Sequence, residues 1–414
     1  MSVKTFFCKE DYHPDKLTPD LYDKLADIAV ENGGATKETL GIKGHCTFNS
    51  LKSFHYIGSL APCLGHDYYD GVFAYDIQAI LTYIINTEKL ITADQFNLKL
   101  KKCEMSERDR KNRPNGFKTR ATNSKYEGTS GSLRILSRVI TIVLAEILAR
   151  SKTRELLLKL QEVSEIITAP SLSHYEVDYL LHPTILEYLD LRVLSISTLN
   201  FSRPRPKHHY LSHYSEAFKI HGPLIGVWGM RMESKHTYMK TVIRTAKNFK
   251  NPAKTCATRH QFAQISYAYF GLFLRNPVEI PDGTLIVSQV PTTKDAFQRK
   301  FLETLSPRAL YPAKVTVMGT LYAPGMILIF KKEKFGILKV GLLKGISMKD
   351  KNISFGCSTF ECSLSEFGYY VTVKLVSDFE CITYTDLWDY HPLHRIGGLN
   401  SFVFALHHFI SQKY

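Results

Sequence analysis

The hydrophobic pattern changes period near residue 275, and that change constrains the fold more than any other feature of the chain. Before it, apolar residues recur at three- and four-residue steps. Leu21, Leu25, Ile28 and Ala29 share one face of a predicted helix over residues 19–31, and Leu156, Leu157, Leu160, Val163 and Ile167 share one over 154–168. Further helical stretches are expected at 72–85, 133–150 and 175–199, the last broken near Pro183, and then at 230–250 and 254–271. Residues 106–132 read as a long exposed loop. Beyond a Pro- and Gly-marked linker come short β-branched and aromatic runs at 314–321, 326–331, 335–342, 353–360, 369–376 and 381–385. Their spacing predicts a small antiparallel barrel or sandwich. A last helix is expected over 399–412. The expected class is therefore α+β: an N-terminal arm (1–50), a helical domain (51–275), a linker (276–308), a small β-barrel-like domain (309–396) and a C-terminal helix (397–414).

Charge is as uneven as periodicity. Residues 201–260 hold twelve Lys and Arg against only Glu216 and Glu233, which is +10 of the whole chain's formal +14. A surface this basic seeks phosphates. The charge is not laid along one amphipathic helix, so nucleic acid rather than membrane is the expected partner. No apolar run is long enough to span a bilayer and the N-terminus carries no signal-peptide pattern, so the expected location is the nucleus or cytoplasm, not secreted. The eight cysteines form no Cys-x-x-Cys pair and read as free buried thiols.

Three groups of residues carry candidate chemistry. His209 and His213 stand four apart, so on a helix both rings could reach one metal ion, with His208 as an alternative. Two histidines do not close a tetrahedral site, and surface histidines satisfied by water are the plain alternative. Glu233 heads a predicted ridge with His236, Lys240, Arg244 and Lys247 at steps of three and four. A carboxylate there suits metal-assisted phosphodiester chemistry, while a salt bridge to Arg231 or Lys235 is the structural alternative. Trp228 reads as a core anchor.

These blocks resemble a family. Lys207-His-His-Tyr-Leu-Ser-His213, Gly222-Pro-Leu-Ile-x-x-Trp228, Met230-Arg-Met-Glu233-Ser-Lys-His236 and the upstream Ala61-Pro-Cys-Leu-Gly-His66-Asp67 segment look like blocks of CACTA-type transposases and cellular proteins derived from them. More distantly they are similar to the large subunit of the V(D)J recombinase. The resemblance implies that Glu233 is the third acid of an RNase H-like DDE site using Mg²⁺. It implies that His213 with His209 or His208 is half of a structural Zn²⁺ site, and that His66 and Asp67 are packing and hydrogen-bonding residues. The helix bearing Glu233 would close the RNase H-like fold. The family's first two catalytic Asp residues and its Cys-x-x-Cys half-site have no counterpart here, and one carboxylate does not hold two metal ions. The expectation is thus a transposon-derived protein, catalytically incomplete alone, that binds DNA through Arg203, Arg205, Lys207, Arg231, Lys235, His236, Lys240, Arg244, Lys247 and Lys250. Two alternatives stand beside it: a piece of an active transposase completed by an upstream exon or another chain, and a scaffold that self-associates or binds a protein through its β domain.

Overall fold

The computed structural model describes residues 17–120, 124–271, 277–289, 295–306, 308–332, 337–350, 352–399 and 401–411, although the side chains of Arg108, Arg231, Gln289, Lys331 and Lys332 are outside that description. It is a helical body followed by antiparallel sheets, the α+β order that the change of period predicts.

The arm begins with α1 (Pro19–Glu31), capped by Thr18 and opened by a proline at its first position. Residues 1–16 lie outside the described set. Tyr22 anchors α1 by donating its hydroxyl to the Gly44 carbonyl and packing its ring on Tyr56. The body's core is built on a π-helical segment, Leu64–Phe73, that runs straight into α2 (Ala74–Thr82). Leu64, Tyr68, Tyr69, Val72 and Phe73 are all fully buried there. Around them pack α3 (Ala93–Lys102), α4 (Ser130–Leu148), α5 (Arg154–Ile167) and α6 (His182–Thr198). Two of the buried hydroxyls brace this core: Tyr68 donates to the Leu160 carbonyl at 2.6 Å, and Tyr69 meets Ser164 at 2.9 Å.

Two expectations for the body need correction. The chain is not broken at Pro183. A π-helical turn, Val177–Leu181, leads directly into α6, whose first turn holds the proline where its missing N–H costs least. Nor is 106–132 an exposed loop throughout, because Phe117 and Tyr126 are buried. The Asn97 side chain holds both backbone polar groups of Phe117, and the Tyr126 N–H donates to the Ala74 carbonyl. Two aromatics in a polar stretch are enough to pin it, a signal that average polarity conceals.

The C-terminal part contains β1 (Val278–Glu279), β2 (Leu285–Ile286), α7 (Ala296–Thr304), β3 (Leu310–Tyr311), β4 (Val315–Val317) and β5 (Thr320–Tyr322). There follow β6 (Met326–Lys332), β7 (Leu338–Lys349), β8 (Asn352–Leu364), β9 (Tyr370–Thr383), β10 (Asp389–His394), β11 (Ile396–Gly397) and β12 (Phe402–Phe404). The main sheet runs β10-β6-β7-β8-β9-β12-β11, every pair antiparallel, and a small sheet runs β1-β4-β5. Among the described residues the ends of the main sheet do not pair, so it is an open sheet rather than a barrel.

Each face of that sheet carries a core, although Val373, Leu375 and Val376 of β9 stay exposed. Ile327 and Ile329 enter one core while Leu328 between them enters the other, as strict alternation requires. On β8 the two cores take Phe355 and Cys357 on one side and Phe360 and Cys362 on the other. The parity switch falls at the register shift after Cys357.

The linker and the final helix are the larger corrections. Residues 296–304 of the expected linker form α7, which sets Phe301 fully buried against Gly345 and Gly356, cross-strand partners on β7 and β8. A Cβ on Gly345 would stand 2.7 Å from that ring, and one on Gly356 2.8 Å. No helix forms over the described residues 401–411, and residues 400 and 412–414 of the expected C-terminal helix lie outside the described set. Phe402, Phe404, Leu406, His408 and Ile410 are buried and every intervening residue is more exposed, a period of two. Phe402 and Phe404 lie on β12, and the chain beyond β12 continues extended over the helical body. There the Phe409 N–H donates to the Glu165 carbonyl and Ser411 to Glu176.

Candidate nucleic-acid interface and the Glu233 site

The segment 201–229 runs from the body to the basic region through α8 (Pro206–Leu211), α9 (Tyr214–His221) and a single helical turn, Leu224–Val227. Its upper end is tied down by ionic chemistry. His208 is buried with both ring nitrogens occupied: Nδ1 accepts the Arg205 N–H at 3.0 Å and Nε2 lies 3.2 Å from Asp76 Oδ2. Asp76, fully buried, also receives the Arg192 guanidinium at 2.8 Å and the Tyr188 hydroxyl. Burial alone would raise the pKa of this carboxyl, but Arg192 and His208 overcome it and hold the group well below the ordinary range. The network is structural, since a buried charge of this kind persists only when paired.

His208 is therefore withdrawn as a metal ligand. His209 and His213 do come together, with Nε2 atoms 3.2 Å apart and rings edge to face. Two nitrogens on one tetrahedral Zn²⁺ stand about 3.3 Å apart at ordinary bond lengths, so the pair fits half a zinc site. No group of three metal-ligating side chains among the described residues includes either histidine or Glu233. Among the described residues no third ligand joins the histidine pair, and no such cluster forms at Glu233, where a two-Mg²⁺ centre would draw carboxylates from separate segments.

Glu233 sits in the first turn of α10 (Met230–Ala246), where the helix dipole favours a carboxylate. Among the described side chains its partner is His66 and not Lys235. Glu233 Oε1 lies 2.8 Å from His66 Nε2, and His66 Nδ1 lies 3.2 Å from Cys63 Sγ. That sulfur also accepts the Gly229 N–H at 3.3 Å, one residue before α10. Thus Cys63, His66 and Glu233 form a continuous hydrogen-bonded row across the junction of the π-helical segment and α10. The resemblance implies that His66 and Asp67 pack and hydrogen-bond; His66 is exposed but hydrogen-bonded at both ring nitrogens, and Asp67 accepts the Cys63 N–H at 3.1 Å.

The electrostatics follow from the geometry. Burial pushes the Cys63 thiol up, but the backbone N–H groups of His66 and Gly229 and the His66 ring more than offset it, and the net shift is downward. Its hydrogen bond to Cys63 raises the His66 imidazole, against partial burial, and Glu233 adds to the effect. The row shifts Cys63 towards thiolate and His66 towards imidazolium. Sequence reading passed over Cys63, although its three-residue spacing from His66 in one helical turn was the available signal.

Of the expected DNA-contacting residues, two are committed elsewhere. The Lys207 stem crosses Gly71 so closely that a Cβ there would stand 2.5 Å from it, and its ammonium donates to the His66 carbonyl at 2.6 Å. The Arg205 guanidinium lies 3.7 Å over the Tyr75 ring. Arg203, Lys235, His236, Lys240, Arg244, Lys247 and Lys250 are exposed, whereas the Arg231 side chain is outside the described set. Trp228 packs on the core with Tyr69 edge to face at 6.4 Å, in line with its reading as an anchor.

Behind α10 lies α11 (Pro252–Tyr269), joined to it by a tight basic turn. The two pack as a hairpin, with Tyr238 and His260 rings 6.1 Å apart and Cys256 reaching the Met239 carbonyl. No described residue of either helix is buried, and no strand of the described residues packs on α10. The expected role of α10 as the closing helix of an RNase H-like sheet therefore has no sheet behind it here. No family model, curated protein or solved structure matches the chain.

Proposed function

We propose that this chain is a transposase-derived nucleic-acid-binding protein that lacks a complete cleavage site of its own. The observation that carries the reading is the α10–α11 hairpin. It holds out Lys235, Lys240, Arg244, Lys247, Lys250, Lys254 and Arg259, none of them in an ion pair among the described residues, from a surface that buries nothing. Exposed aromatics, Phe249, Phe262, Tyr267 and Tyr269, lie among these cations. Cations track phosphates and aromatic faces stack on bases, a combination that tolerates any sequence. Glu233 is engaged by His66, and no three-ligand metal cluster of the described residues includes it, which supports binding rather than cutting.

The test is the affinity of the full chain for a labelled DNA at two salt concentrations. About six phosphate contacts predict roughly a thousandfold weaker binding at about 200 mM than at about 50 mM salt. Replacing Lys240, Arg244 and Lys247 by Ala together should lower the salt slope by roughly three. Equal affinity at the two concentrations would sink the reading.

A further inference from the structure

The C-terminal segment that replaces the expected helix brings His408 back against β10, and this juxtaposition is unrelated to the basic region. His391 Nδ1 lies 2.9 Å from Asp389 Oδ1, His408 Nε2 lies 3.5 Å from Asp389 Oδ2, and the two ring nitrogens are 3.3 Å apart. These are the only three metal-ligating side chains of the described residues that converge on one point.

The neighbouring hydrogen bonds fix what each atom presents. His408 Nδ1 lies 3.0 Å from the Phe409 carbonyl, which only accepts, so Nδ1 carries the proton. In the neutral ring Nε2 is then a bare lone pair, buried and facing a carboxylate oxygen and a second imidazole. The Nε2 lone pair, the carboxylate and His391 Nδ1 repel one another unless a cation, or a proton on His391 Nδ1, lies between them. A tetrahedral ion with bonds of about 2.0–2.1 Å spaces its ligand atoms about 3.3 Å apart, the separation of the two ring nitrogens, and the 2.9 and 3.5 Å contacts to the two carboxylate oxygens bracket it. Asp389 is oriented as well, accepting the His391 N–H at 3.0 Å. A carbonyl behind one ligating histidine is the usual support of a metal-bound ring.

We infer that Asp389, His391 and His408 form a binding site for one divalent transition metal, Zn²⁺ by ligand type, with a fourth position open to water on the His391 side. Imidazole and carboxylate together suit Zn²⁺ better than Mg²⁺ or Ca²⁺, which take oxygen sets. The ion's role is a clasp. β10 belongs to the sheet, while the segment carrying His408 also donates to Glu165 and Glu176 of the helical body. One ion thus ties the edge of the sheet to the strap that joins sheet and body.

The test uses the full chain stripped of metal and titrated with Zn²⁺ by calorimetry. Asp389 and His408 are buried, so the decisive variant is His391→Ala, whose side chain is 47% exposed. The native chain should take up one tight equivalent, and His391→Ala should weaken it about a hundredfold or more, since even outer groups cost 10- to 100-fold. A His209→Ala/His213→Ala double variant should keep that equivalent. Zn²⁺ should also raise the melting temperature of the native chain but not of His391→Ala. No tight equivalent, an equivalent unchanged in His391→Ala, or its loss only in the His209/His213 variant would each overturn the assignment.

Discussion

At the scale of single residues, the row Cys63–His66–Glu233 ties an unremarked cysteine to the acid that the sequence puts forward. The thiol is shifted towards the thiolate and half-exposed, so it should be the reactive one. Iodoacetamide at neutral pH should modify Cys63 several-fold faster than Cys381, which is exposed but whose thiol is pushed up, first by burial of the sulfur. Glu233→Gln removes the carboxylate that helps hold His66 protonated, and should slow Cys63 modification by roughly 3- to 10-fold. Peptide mapping by mass spectrometry would read both rates, and a Cys63 no faster than Cys381 would show that the row does not activate it. The cysteines also divide more finely than the sequence implies: of those described, Cys103, Cys357 and Cys362 are buried, and Cys381 is exposed.

At the scale of elements, α7 shows how little sequence can reveal about a short amphipathic helix in a linker. Asp295 caps it by accepting two backbone N–H groups, and its one buried side chain, Phe301, fills the hole left by two glycines far along the chain. Phe301→Ala should cost about 3–5 kcal/mol by emptying that hole, measured by denaturant unfolding. Gly356→Ala should also destabilise, by collision rather than by cavity. If both changes prove neutral, α7 does not dock as described. By contrast α1, α4 and α5 were legible because each repeats an apolar face over three or more turns, and periodicity accumulates with length. The C-terminal segment was misread because aromatic and aliphatic residues two apart can satisfy part of a helical pattern too. Only pairing with β9 shows which period operates.

At the scale of the whole molecule, sheet and body are joined rather than merely linked. Gln161 donates to the Gly368 carbonyl at 3.2 Å, Arg154 pairs with Glu366 at 2.7 Å, and Phe367, Ile396 and Phe409 pack on the helical core. Between them lies a largely apolar cavity of about 370 Å³ on which Glu165 borders. Burial pushes the Glu165 carboxyl up to about 7, partly offset by the Gln161 amide. The folded chain therefore keeps a proton that the unfolded chain has lost above its ordinary value of 4.5. The stability this proton confers is full below that value and is lost as pH rises through about 7, a change of about 1–3 kcal/mol. Buried His407 and His408, both lowered by burial, act in the opposite direction, so the comparison must be internal. Between about pH 5 and 8 the melting temperature of the native chain should fall relative to that of Glu165→Gln. Parallel curves would refute the assignment. No helix of the described residues is long and apolar enough to cross a membrane.

The sequence alone determined the α-then-β order, most long helices, the concentration of charge in 201–260 and the pairing of His209 with His213. These are properties of neighbours in the chain, set by side-chain periodicity and spacing. The tertiary structure decided that His208 serves Asp76, 132 residues away, that His66 holds Glu233, and that Asp389 and His391 meet His408. It also spent Arg205 and Lys207 on Tyr75 and His66 while leaving the α10–α11 cations exposed. A buried charge or an aimed lone pair takes its partner from whatever the folded chain brings within about 3 Å, and spacing along the sequence carries no record of that choice.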